Sequence, residues 1–424
     1  MHAAIAAVIF AATLLAIVVR PRGISEAWAA AAGAVLMLVT ASVSPVSALQ
    51  AVAGEWNLFL FFLGLMLTAA VADMARFFDW AADLAVVAAG GSGRRLLFNV
   101  LVVGALITTF LSNDATAVIL TPVVYAIVSR LRLTVMPYLV AVAFMANAAS
   151  MTLPISNPIN ILVGDRLRAP LLEYESHLLA ASLAAIAITI AVFMAIFWRT
   201  AEPGFDSQAA RRGIRGSRRF FAMTVVGLVV LAVAYIAGAA SLWPLGVIAA
   251  TGGLALLGVA AVNRGLSRDH LRAHVSPSLF VYIAGLFILV RGVQDAGITG
   301  AVMAQVVSHA ADAGTAVAVG LFGSALLSNA VNNLPGVLVF VSGAQAGGVA
   351  APLQAPFLFG ALAGADLGPN LTPVGALSTM LWLAIVRRRG VKVSAWDFIR
   401  IGALVTPLTL LAAWALIALS FRWP

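Results

Sequence analysis

Long unbroken apolar runs, with no alternation, set the pattern of this chain. The segments near 3–19, 25–43 and 55–74 are almost wholly Ala, Val, Leu, Ile, Phe, Met and Gly. Each approaches the roughly 20 residues that cross a bilayer as a helix. An interrupted region follows at 96–129, then runs near 134–163 and 177–198. The stretch from Arg199 to Arg219 is polar and basic, and beyond it the pattern starts again. Runs near 220–238, 244–262 and 276–290 precede a second interrupted region at 315–345, and runs near 355–386 and 398–419 close the chain. No segment shows the period-two alternation of a membrane barrel. The pattern predicts an all-α polytopic membrane protein. The first run lacks a basic leading region and a small-residue cleavage site, so it reads as a span and not a signal peptide.

The interruptions carry the polar residues. "SNDATAVIL" (Ser112 to Leu120) lies over "VNNLPGVLV" (Val331 to Val339), which pairs Asn113 with Asn332 and Asp114 with Asn333. Further on, "PISNP" (Pro154 to Pro158) lies over "PNLTP" (Pro369 to Pro373) at nearly the same spacing. Two breaks in the same order point to two related halves, residues 1–199 and 220–424, joined by a basic linker at 200–219. The apolar stretch 96–111 gives only about 24 Å of helix, too short to cross. With Arg94 and Arg95 before it and Arg130 and Arg132 after, the region 96–129 reads as a re-entrant hairpin, and 315–345 as its mate. The alternative is one long kinked helix, which would put Arg130 and Arg132 on the opposite side. With hairpins, each half has five crossings. Five is odd, so the halves have inverted topology.

Charge then fixes orientation. Of the 25 basic residues, all but Arg166, Arg168, Arg291 and Arg422 fall on one side of this arrangement. By the positive-inside rule that side is cytoplasmic, and both termini lie outside, in a bacterial inner membrane. Composition adds exclusions. The chain is 62% hydrophobic and 10% charged, with mean hydropathy +1.05, far from a soluble domain. The net charge of +9 reflects cytoplasmic loop arginines that meet anionic lipid, and implies no nucleic-acid partner. Cysteine is absent, which removes disulfides, thiolate metal sites and thiol chemistry. No cofactor is expected.

Proline and glycine break helices, and in lipid the freed backbone groups must face protein or a polar cavity. Four breaks from two inverted halves would meet near the bilayer midplane, as at a secondary transporter site. Asp114 and Asp366 are the carboxylates at the breaks. A membrane-depth aspartate is expensive and marks ion or proton coupling, the alternative being a helix cap. Asn113, Thr116, Asn157, Asn160, Asn332, Asn333, Asn370 and Thr372 are the candidate substrate ligands, though a buried Asn also clamps helices together. No Lys or Arg lies at a break, which argues against an arginine-clamped phosphate or dicarboxylate. A sodium/proton antiporter or a silicic acid exporter would suit the same scaffold. An intramembrane aspartic protease would need YD and GxGD motifs, and the chain has neither.

The motifs "NDATAVILTPVV", "SNPINIL", "NNLPGVLV" and especially "DLGPNLTPVGALSTMLWL" (Asp366 to Leu383) resemble the ArsB-type arsenite efflux permeases of the ion transporter superfamily, over nearly the whole chain. The resemblance implies export of arsenite and antimonite in exchange for protons, in some members with a cytosolic arsenite-stimulated ATPase subunit as partner. Arsenite near neutral pH is mostly an uncharged trihydroxide, which amides and hydroxyls bind without a cationic residue.

Overall fold

The computed structural model describes residues 2–201, 204–206, 217–344, 346 and 349–422. The arginines at 211, 212 and 215 of the expected linker lie outside these residues. Among the described residues all regular structure is helical. The first half runs α1 (His2–Val19), α2 (Glu26–Val39), α3 (Pro45–Ala53), α4 (Trp56–Met74), α5 (Phe77–Ala89) and α6 (Gly93–Phe110). Then α7 (Asn113–Ala115) continues through a π turn (Thr116–Leu120) into α8 (Thr121–Arg130), followed by α9 (Val135–Ala148), a 3-10 turn (Pro154–Ser156), α10 (Pro158–Leu167) and α11 (Leu171–Phe197). The second half runs α12 (Arg218–Ala240), α13 (Leu245–Val262), α14 (Arg268–His274), α15 (Pro277–Asp295), α16 (Ile298–Val307), α17 (Ala313–Val331), α18 (Asn333–Gly343) and α19 (Ala351–Leu367). A 3-10 turn (Gly368–Asn370), α20 (Leu377–Arg388) and α21 (Ala395–Ser420) complete it. Eight helices among the described residues are long and apolar enough to cross a membrane. They include α6 and α17, the first limbs of the two interrupted regions, so length does not by itself mark the first limb as too short to cross, as the sequence suggested.

Helix packing is reciprocal. α4 lies against α13, while α15 lies against α2. A Cβ on Gly64 of α4 would stand 2.0 Å from the Ala249 carbonyl carbon of α13, and one on Gly285 of α15 would stand 2.8 Å from that of Ala30 in α2. Bare backbone is what lets these helices touch, the device expected where lipid offers no hydrophobic drive between helices. α11 and α21 lie side by side and bring the two halves together.

Both interrupted regions fold back on themselves. Thr108 and Thr116, placed evenly about Ser112, share a hydroxyl–hydroxyl bond of 2.7 Å, and Gly104 faces Leu120. In the second region Gly336 sits over Ser328, a pair centred on Asn332, and Gly323 sits over the Phe340 ring, a pair centred between Val331 and Asn332. A single kinked helix would not bring such residues together.

Three expectations need correcting. The runs 134–163 and 355–386 are each two helices, because Pro154, Pro158, Pro369 and Pro373 cannot donate to the helical ladder. The short helices α3, α5, α14 and α16 were not foreseen as elements: α5, for example, carries Asp79 and Asp83 in 13 residues and so fails any test for a span. Finally, the tip pairing is off by one. Asn113 and Asn333 each open a helix, so Asn113 corresponds to Asn333, and Ser112 to Asn332.

Candidate functional site

Four helix beginnings converge: α7, α10, α18 and α20 each contribute residues to one small central space of about 20 Å³. Its polar lining is Asn113, Asp114, Asn157, Tyr282, Asn332, Asn333 and Ser378. The first turn of a helix has backbone N–H groups without internal partners and carries the positive end of the helix dipole. No Lys or Arg lines this space among the described residues. Four such ends with amide side chains therefore suit an oxygen-bearing, neutral or weakly anionic ligand.

Each start is locally built. Ser112 Oγ accepts from Ala115 N at 3.1 Å, and Asn113 Oδ1 from Asp114 N at 2.8 Å. In the second tip Asn333 Oδ1 accepts from Leu334 N at 3.0 Å. Asn157 caps α10, accepting from Ile159 N at 3.3 Å. The second tip is strained: Asn332 has φ 82 and ψ 155, a region essentially reserved for glycine. Its buried Oδ1 has no hydrogen-bond partner among the described residues. The π turn after the first tip is another irregularity of the kind that gathers at functional positions.

A larger cavity of about 330 Å³ adjoins the central space. Phe62, Leu279, Tyr282 and Leu377 line both and form the constriction between them, and Asp114 reaches into both. Ser25 and Glu26 of the α2 start and His274 and Ser276 near the α15 start line the other end.

Behind the central space a polar network ties the halves together. Asn157 Nδ2 donates to Asp366 Oδ1 at 2.6 Å, and the Asp366 carboxyl is buried. Asn147 Nδ2 donates to Asn370 Oδ1 and Thr379 Oγ1, both at 3.0 Å, and Asn147 Oδ1 accepts from Ser378 Oγ at 3.2 Å. These two groups answer one another. Asp366 near the end of α19 bonds to the residue capping α10, and Asn147 near the end of α9 bonds to the first turn of α20. Counted along the helices, Asn147 stands in α9 where Asp366 stands in α19, each one residue before the last, and Leu334 stands second in α18 as Asp114 does in α7.

Of the expected residues, Asn113, Asp114, Asn157, Asn332 and Asn333 line the central space, and Asp366 meets it through Asn157. The others stand elsewhere. Thr116 bonds to Thr108 and to Ser112 O. Asn160 Nδ2 donates to Ser150 O and Leu153 O. Asn370 Nδ2 donates to Phe144 O at 3.1 Å. Thr372 Oγ1 donates at 2.7 Å to Oδ1 of Asn329, whose amide in turn donates to Gly368 O. These four brace the breaks. Asn147, Ser378 and Tyr282 went unnoticed in the sequence, and Asn329 was marked only as the edge of the second tip. Asn147 and Asn329 were readable as amides in apolar runs ("FMANAA", "LLSNAV"); Tyr282 had no such signal.

The family model for arsenical pump membrane proteins, ArsB, matches residues 5–421. The arsenical pump membrane protein of Yersinia enterocolitica is 32% identical over 431 residues, covering 97% of both chains. That of Escherichia coli K12 is 30% identical over 436 residues, covering 99% of both. Among solved structures, the YdaH transporter of Alcanivorax borkumensis superposes with a TM-score of 0.57 at 14% identity, covering 89% of this chain and 88% of that one. That likeness concerns fold alone.

Proposed function

The chain belongs to the ArsB family of arsenical pump membrane proteins, and on that footing we propose that it exports arsenite and antimonite from the cytoplasm in exchange for protons. The observation that carries this reading is the meeting of four helix N-termini and six amide or hydroxyl side chains in a space free of Lys and Arg among the described residues. A trihydroxide offers such groups acceptors for the N–H donors and hydroxyl donors for the amide oxygens. The unpartnered Oδ1 of Asn332 is one acceptor awaiting a donor. At about 20 Å³ the central space holds no more than one water-sized group, so the tips part when substrate enters.

In this reading the halves are inverted repeats, as the reciprocal packing of α4 with α13 and α15 with α2 supports, and each fold-back is a re-entrant hairpin. The basic loops lie in the cytoplasm and both termini outside, in a bacterial inner membrane. The 330 Å³ cavity then opens to the cytoplasm, since Ser25 follows Arg20 and Arg22 and Ser276 follows Arg268 and Arg272. The conformation is inward-facing. Asp114, placed between vestibule and central space, alternately binds a proton and the substrate, and Asp366 is the second coupling carboxylate. A cytosolic ATPase subunit, where present, would dock on the same basic face.

Everted vesicles from an arsenite-sensitive host provide the test. An imposed pH gradient should drive arsenite uptake, and sodium or silicic acid should not substitute. Uptake of silicic acid, or sodium-driven proton movement without arsenite transport, would replace this reading with one of the two rivals on the same scaffold.

A further inference from the structure

A second cavity, of about 590 Å³, lies on the face away from the vestibule, among the ends of α4, α10 and α12. Asn57, Asn160, Asp165 and Tyr174 line it. By the same charge count these ends are the outer ones. The side chains at its floor lead to Asp366. Asn160, fully buried, donates to Ser150 O at 2.7 Å, and its own Oδ1 has no partner among the described residues. The Ser150 hydroxyl is committed at 2.7 Å to Asn147 O and stands beside the Asp366 carboxyl. Tyr174, donating to Met151 O at 3.0 Å, is the titratable side chain next to that carboxyl. Asp366 Oδ1 is held by Asn157, but Oδ2 has no hydrogen-bond partner among the described residues.

We propose that this outer cavity is the water-filled route by which protons reach Oδ2 of Asp366. The inference rests on the proton-exchange reading above and adds the entry path. A hydronium in the cavity gives up its proton and remains as water; Oδ2 takes the proton and the carboxylate becomes neutral. The bond from Asn157 then loses its charge assistance. Because Asn157 also lines the central space, a proton arriving from outside changes the substrate's surroundings without entering the substrate path. The two carboxylates are served from opposite faces, Asp114 from the vestibule and Asp366 from the outer cavity. Asp165, bonded to Asn57 at 2.7 Å, and Arg168 both line the cavity, so its charged side chains balance and it is the free Oδ2 of Asp366 that offers the proton a place.

The absence of native cysteine makes a direct test available. Ala169→Cys and Leu242→Cys place a thiol in the cavity lining, away from the polar floor. Intact cells are treated with an impermeant, positively charged methanethiosulfonate, and everted vesicles are then prepared. Two rates are read: arsenite accumulation driven by a pH gradient, and arsenite–arsenite counterflow without one. The adduct should cut gradient-driven accumulation at least fivefold and change counterflow less than twofold, each unmodified variant serving as its own control. An equal fall in both would make the cavity the substrate exit and overturn the proposal. So would full modification with coupling intact, or thiols that fail to react from outside. If unmodified wild type ignores the pH gradient, it is the proton-exchange reading that fails.

Discussion

The 2.6 Å bond from Asn157 to Asp366 crosses between the halves, and its strength should depend on the charge of the carboxyl. Asn157 does two jobs, since it also caps α10 through Oδ1. Serine and alanine separate them. Serine is as good a cap as asparagine but too short to reach Asp366; alanine loses both roles. Hydrogen bonds to charged groups are worth about 1.5–3 kcal/mol in soluble proteins. Interhelical ones in bilayers average about 0.6 and reach about 1.7 kcal/mol. Asp366 is 1% exposed, and serine would leave both its oxygens without that donor, so the upper part of the membrane range applies. Asn157→Ser should therefore cost about 1.5 kcal/mol when Asp366 is ionised, and Asn157→Ala about 1 kcal/mol more through the lost cap.

The assay is unfolding of purified protein in mixed micelles, followed by helicity, at a pH where the carboxylate is charged. The decisive comparison is a double-mutant cycle. In an Asp366→Asn background the same Asn157→Ser change meets a neutral acceptor and should cost only about 0.6 kcal/mol. Distant sites add to within about 0.3–0.5 kcal/mol. Equal costs in the two backgrounds, within that margin, would show that the bond is not charge-assisted and that protonating Asp366 would not loosen Asn157.

Further outcomes follow from the same geometry. Gly64→Val should destabilise the protein by at least about 3 kcal/mol in the same unfolding assay, because a Cβ there stands 2.0 Å from backbone of α13 that cannot yield; tolerance of valine would mean the two helices part readily. Asn332→Gly should raise stability by about 1 kcal/mol by relieving the strained φ while abolishing arsenite resistance; resistance retained would remove the amide from the site. Asp114→Asn should lose pH-gradient-driven accumulation and keep downhill arsenite exchange, and continued uphill pumping would show that another group carries the proton. A cysteine at the exposed position Ala126 should be modified from the cytoplasm alone; labelling from outside would refute the re-entrant reading of the first hairpin.

How far the sequence revealed this arrangement depended on the physical signal each feature leaves. Spans are legible because lipid forces long apolar runs, and breaks are legible because proline and amide clusters interrupt them. Asn113, Asp114, Asn157, Asn332 and Asn333 could therefore be placed at the breaks. The difference between lining a space and bracing a break leaves no mark on residue type: Asn160 and Asn370 look like Asn157 in the sequence, but their amides are spent on backbone carbonyls. Register at the tips was lost by one residue because adjacent asparagines, Asn332 and Asn333, match Asn113 equally well. Only the helix start distinguishes them. Tyr282 and Phe62, apolar or aromatic in apolar helices, could be placed at the constriction only by packing.

The answering positions of the two halves suggest why the carboxylates lie where they do. Asp366 and Asn147 hold matching places and make matching bonds, one to the cap of α10 and one to the first turn of α20. An amide at both places would give two permanent clamps, indifferent to pH. A carboxylate at both would bury two charges with few donors, a cost that membrane depth makes severe. With one of each, the proposed proton exchange would leave the clamp on the α20 side fixed and act on the clamp on the α10 side. At the tips the asymmetry is similar: Asp114 faces the vestibule and its counterpart is Leu334. Titratable groups thus stand at one of each matched pair of positions. If the proton-exchange reading holds, such an asymmetry lets protons from one side and substrate from the other act on different parts of the site.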